Sequence, residues 1–158
     1  MKKSIIFFIM TCVFANTFAQ HIDFMGIPLG QPMKAFDRSL RAKGFTISGE
    51  SRVPNLHHYK GEFWRFEITY LVVEEENGRA SRVVVAPLRS DISDLNSLVN
   101  SLIKKYGRYT TKKGDEYVWK LRGGEIRAEY YRGIGIYYTD RTNSLYYRKY
   151  QRNYEDDL

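Results

Sequence analysis

The tightest constraint on the fold lies in the middle of the chain, where the sequence alternates about a hairpin turn. Trp64, Phe66, Ile68, Tyr70 and Val72 are interleaved with Arg65, Glu67 and Thr69. A period of two puts one set of side chains on each face of a strand, and this set reads as an antiparallel strand with one face buried. Asn77-Gly78 follows. Both residue types accept the left-handed conformation that a two-residue hairpin turn requires, so the chain is expected to return through Ser81 to Leu88. The last third repeats the pattern in shorter runs: Tyr117, Trp119 and Leu121; Ile126, Ala128 and Tyr130; Ile134, Ile136 and Tyr138; Leu145, Tyr147 and Lys149. Gly123-Gly124, Arg132-Gly133 and Asp140 to Asn143 separate them, which predicts a meander of four short strands.

Each alternating region is preceded by an apolar stripe of helical spacing. Leu95, Leu98, Val99, Leu102, Ile103 and Tyr106 share one helical face, with Asp91, Ser93 and Asp94 available as caps and Lys104 and Lys105 in the last turn. An earlier helix is expected from about Pro32 to Lys43 on Met33, Phe36 and Leu40, with proline at its start and Gly44 past its end. Phe36, Leu40 and Gly44 match Val99, Ile103 and Gly107 at an offset of 63 positions, with an aromatic after each glycine at Phe45 and Tyr109. The expected fold is therefore α+β: two weak helix-plus-antiparallel-meander repeats, about 24–88 and 91–150, with the helices packed on one face of antiparallel sheet.

Residues 1–19 have the form of an export signal. Lys2 and Lys3 precede an apolar run from Ile5 to Phe14, and Thr17-Phe18-Ala19 puts small residues three before and one before a cut ahead of Gln20. The run is too short to span a bilayer. The expectation is a single exported domain, 20–158, periplasmic or extracellular and not transmembrane. Cys12 is the one cysteine and falls within the signal, so 20–158 has no disulfide or thiol chemistry. Ile9-Met10-Thr11 lacks the small residues that a lipoprotein cut ahead of Cys12 would need, so no lipid anchor is expected.

The segment Phe24-Met25-Gly26-Ile27-Pro28-Leu29-Gly30, with Phe36, Leu40 and Lys43-Gly44-Phe45 after it, resembles a group of small exported proteins of unknown function from Bacteroidetes-type bacteria. The helix-plus-meander layout is similar to the β-lactamase-inhibitor-protein fold. That resemblance implies a binding module and carries over no functional residue.

Catalytic and metal chemistry find little to work with. The histidines are His21, His57 and His58, and the last two are adjacent, so on a strand they point to opposite faces. No cysteine remains to complete a zinc site. Glu74-Glu75-Glu76 stands directly before the hairpin turn and reads as a solvated tip. Ser90 and Ser93 have no elbow motif or histidine partner. No cofactor, metal or catalytic residue is assigned.

The sharper signal is aromatic and basic. The formal net charge is +7, and tyrosines interleave with Arg127, Arg132, Arg141 and Arg148 in the last third. If Ile134, Ile136 and Tyr138 face the helices, Tyr137 faces away, and Tyr131 and Tyr146 are expected to join it. Arg127, Tyr131, Tyr137, Tyr146 and Arg148 are the candidate partner-binding residues, because tyrosine and arginine dominate binding hot spots. The expected function is a non-enzymatic exported module that recognises an envelope or extracellular protein through this sheet face. An acidic glycan or anionic lipid head group is the alternative ligand, an envelope hydrolase a third reading, and export argues against nucleic acid.

Overall fold

The computed structural model describes residues 22–49, 51 and 53–142. The export signal, the strand expected at Leu145 to Lys149, and the candidates Tyr146 and Arg148 lie outside the described residues. A two-stranded hairpin, β1 (Asp23–Phe24) and β2 (Ile27–Pro28), leads into α1 (Met33–Ala42). Then come β3 (Thr46–Ile47), β4 (Leu56–Phe63), β5 (Phe66–Glu76) and β6 (Arg79–Pro87), followed by α2 (Ile92–Tyr106). The described part ends with β7 (Thr111–Lys113), β8 (Glu116–Leu121), β9 (Gly124–Tyr130) and β10 (Ile134–Asp140). Strands β3 to β10 form one antiparallel sheet in the order β3-β4-β5-β6-β10-β9-β8-β7. Each helix is thus followed by a four-stranded meander, and the last strands of the two, β6 and β10, pair at the centre with Ile136 opposite Val85 and Tyr138 opposite Val83.

Local chemistry accounts for the helix ends. The Asp91 carboxylate accepts from the backbone N–H groups of Ser93 and Asp94, while Asp94 accepts from the backbone N–H of Asp91. This reciprocal cap satisfies donors that a helix start otherwise leaves open. At the far end Gly107 adopts φ +82° and donates its N–H to Ile103 O at 2.9 Å.

One apolar core joins both helices to one sheet face. Phe36 and Leu40 of α1 and Leu95, Leu98 and Val99 of α2 belong to the same buried cluster as Leu71, Val83, Val85, Ile126, Ile136 and Tyr138. Phe24 anchors its centre, stacking on Phe63 at 5.5 Å and meeting Tyr138 edge-on at the same distance. Trp119 is buried with its indole N–H donating to Gly107 O at 2.9 Å, which ties β8 to the end of α2.

The central alternation is corrected by a bulge. Phe63 pairs with Phe66, but Gly61 pairs with Thr69, so β5 carries one extra residue against β4. The extra residue inverts the phase: Phe66 faces the core, yet beyond the bulge Thr69, Leu71 and Val73 are the buried set. Ile68, Tyr70 and Val72, expected inside with Phe66, lie on the opposite face, and Trp64 occupies the β4–β5 turn at φ +56°. A second bulge at Glu74/Glu75 adds a residue to β6. The glutamate run is likewise not simply solvated: Glu74 accepts from Arg82 at 2.7 Å, and Glu75 lies 2.7 Å from His57 Nε2. Strands β3, β4 and β7 have no periodic signal in the sequence, because β3 and β7 are too short to show a period and Leu56 to Phe63 is largely polar.

Candidate functional site

The helices cover one side of the sheet, and the register defines what the other side presents. His58 pairs with Val72, Val72 with Val84, Val84 with Tyr137, Tyr137 with Arg127, and Arg127 with Val118, giving one row across six strands. Lys60, Tyr70 and Ala86 form the neighbouring row on β4 to β6, and Glu74, Arg82, Thr139, Glu125 and Lys120 form the row on the other side. Ile68 is 38% exposed and Tyr70 40% exposed, with Ala86 exposed and Val72 and Val84 half-buried beside them. A partly exposed apolar strip therefore adjoins a charged and aromatic cluster.

That cluster centres on Tyr137. Arg127 lies 4.4 Å and Arg82 5.1 Å from the centre of its ring. The phenol donates to Glu129 Oε1 at 2.7 Å. A Cβ at Gly135 would sit 2.9 Å from the Tyr137 hydroxyl oxygen, so the missing side chain at Gly135 is what lets the ring lie flat along the sheet. Burial and the Glu129 hydrogen bond push the phenol up to about 12. Arg127 also lies 3.8 Å from both Glu116 and Glu129, and the Arg82 guanidinium is held by Glu74. The ring thus lies against two guanidinium groups that are themselves positioned by carboxylates, an arrangement that loses little freedom when a partner binds.

Of the five candidate residues, the structure brings Arg127 and Tyr137 together on the helix-free face. Tyr131 sits just past the end of β9, in the β9–β10 turn, 78% exposed, with Arg132 at φ +58° beside it. The strand ends at Tyr130, so alternation no longer governs where Tyr131 points. Sequence reasoning passed over Arg82, Glu129, Gly135 and the strip of Ile68, Tyr70 and Ala86. The signal for Arg82 was present, since Arg82, Val84 and Ala86 alternate with the buried Val83 and Val85.

Other features are smaller. An open depression of about 380 Å³ at one end of the face is lined by Lys113, Asp115, Glu116, Glu129, Tyr130 and Tyr131. His57 and His58 do fall on opposite faces of β4, and among the described residues no group of three His, Cys, Asp or Glu side chains is arranged to hold a metal ion. Among the same residues no helix is long and apolar enough to cross a membrane. No family model, curated protein or solved structure matches this chain.

Proposed function

We propose that the chain is an exported, non-enzymatic binding module that recognises an envelope or extracellular protein through the helix-free face of its sheet. The observation that carries the reading is the adjacency of the apolar strip, Ile68, Tyr70, Val72, Val84 and Ala86, to the Arg82–Tyr137–Arg127 stack. An apolar centre with an aromatic and arginine flank is the composition of a protein interface, and a pre-positioned ring lowers the ordering cost of association. The amino-terminal signal supports delivery to the periplasm or medium after cleavage at Ala19. In this reading the two helix-plus-meander halves are related as repeats, in keeping with the likeness to the β-lactamase-inhibitor-protein layout.

The test is affinity capture with residues 20–158 from envelope and culture-medium extracts, comparing the parent with a Tyr70→Ser/Tyr137→Ala variant. An α1 surface variant, Lys34→Gln/Arg38→Gln, is the control. The expected result is a protein retained by the parent and the control and lost by the face variant, with the circular dichroism spectrum unchanged. Equal retention by all three would refute the assignment.

A further inference from the structure

A second surface, on the helix side of the opposite sheet edge, carries a local excess of positive charge. Between Ile103 and Gly114 the sequence contains Lys104, Lys105, Arg108, Lys112 and Lys113 and no carboxylate. All five are exposed and run from the last turn of α2, through the Gly107 turn, onto the edge strand β7. Lys113 pairs in register with Glu116 and so belongs to the other face, and Lys105 is held by Asp23 at 2.6 Å. Lys104, Arg108 and Lys112 are the core of the strip.

The structure pins helix end and edge strand together with an aromatic wedge. Arg108 lies 5.9 Å from the centre of the Tyr109 ring, Tyr109 meets Tyr117 edge-on at 5.2 Å, and Lys112 Nζ lies 5.0 Å from the Tyr117 ring. Tyr109 also meets Trp119 edge-on at 6.1 Å. The side-chain hydrogen bond to Tyr117 raises the pKa of Lys112. The helix dipole accounts for Lys104 and Lys105, and edge protection accounts for lysine on β7. Neither accounts for Arg108, or for a strip of cations gathered on one wedge.

We propose that this strip docks an acidic polysaccharide. Its chemistry narrows the occupant. A protein interface needs an apolar centre, and insertion into a lipid surface needs exposed apolar side chains. Among the described residues the exposed large apolar side chains are Ile47, Val53, Trp64, Ile68, Tyr70, Leu88, Ile92 and Tyr131, none of them between Ile103 and Gly114. Stacked bases need open ring faces, whereas Tyr109 is spent on Tyr117 and Trp119. A polar polymer with carboxylates at intervals asks only for fixed cations. The preference for a glycan over a nucleic-acid backbone rests on the export reading, and the test separates the two.

The probe is linear polygalacturonate, titrated into residues 20–158 at low and high salt. Parent affinity is expected to fall about tenfold or more between roughly 50 and 200 mM salt, as screening and counterion release require. Lys104→Gln/Arg108→Gln/Lys112→Gln is expected to weaken binding at least about tenfold at low salt. Lys34→Gln/Arg38→Gln/Lys43→Gln, which removes the same charge from the α1 region, and the Tyr70→Ser/Tyr137→Ala face variant are expected to bind as the parent does. The proposal is overturned by absent parent binding, by equal loss in both charge variants, or by loss in the face variant. Tighter binding to duplex DNA or to vesicles of 30% anionic phospholipid than to polygalacturonate would also overturn it. The protein-capture reading fails or stands on its own experiment, since no residue is shared between the two surfaces.

Discussion

Gly124 is where one added methyl group should damage the fold most. It opens β9 opposite Asp140 of β10, at φ +153°, a region costly to any residue with a side chain. An alanine Cβ there would stand 2.0 Å from the carbonyl oxygen of Thr139 and 3.0 Å from the backbone nitrogen of Arg141. Both obstacles are backbone, so no rotamer change relieves them; the end of the β9–β10 ladder must move apart. Gly114 supplies the comparison, with φ +57° and open space around its own virtual Cβ. Gly114→Ala is expected to cost only the left-handed backbone penalty, about 1 kcal/mol. Gly124→Ala adds the backbone overlap and a lost ladder bond to a comparable penalty, for a total of about 3 kcal/mol or more. For a chain of this size about 1 kcal/mol moves Tm by about 4 °C, so the two variants should separate by about 8 °C in calorimetry. Urea unfolding should give the same order with an unchanged slope. Equal losses at the two glycines would refute the close approach of Thr139 to Gly124.

The phase inversion in β5 predicts that Leu71→Ala costs about 3 kcal/mol, since Leu71 is fully buried, whereas Tyr70→Ala costs less than about 1 kcal/mol; urea denaturation that ranks them the other way would restore the uninterrupted alternation. Burial raises the pKa of the Glu125 carboxyl, with Arg127 and Lys120 opposing. A carboxyl raised on folding holds its proton more tightly in the native state, so stability falls as pH rises from the ordinary carboxylate pKa through the raised one. Glu125→Gln should therefore have a higher Tm than the parent at neutral pH, a gain that vanishes as pH falls below the ordinary carboxylate range; a gain independent of pH would contradict that assignment.

How much of this was legible varies by residue. The α2 stripe and its Asp91 cap, Gly44 and Gly107 past the helix ends, and Asn77-Gly78 at the hairpin tip are local features, and the structure has all of them. So is the outward position of Tyr137, which follows from Ile134, Ile136 and Tyr138 facing the core. The error in β5 has the opposite origin. Nothing in the run from Trp64 to Val73 marks the extra residue, because Ile68 and Leu71 are equally apolar and both phases look acceptable until β4 supplies the register. The site shares that dependence in part: Glu129 reaches Tyr137 across the β9–β10 hairpin, but Arg82 is far from Tyr137 in the chain and only the pairing of β6 with β10 brings the two together.

The sequence by itself determined the class of fold, because helical stripes, alternating strands and turn residues are properties of near neighbours and depend on nothing distant. It also determined the charge, the lack of thiol chemistry after Ala19 and the concentration of tyrosine with arginine. The tertiary structure alone decided that the two meanders share one sheet through β6 and β10, which faces survive the bulges, and which guanidinium groups meet the Tyr137 ring. Those outcomes depend on which strands pair and in what register, and a single inserted residue in one strand exchanges the buried and exposed faces without altering the composition of either.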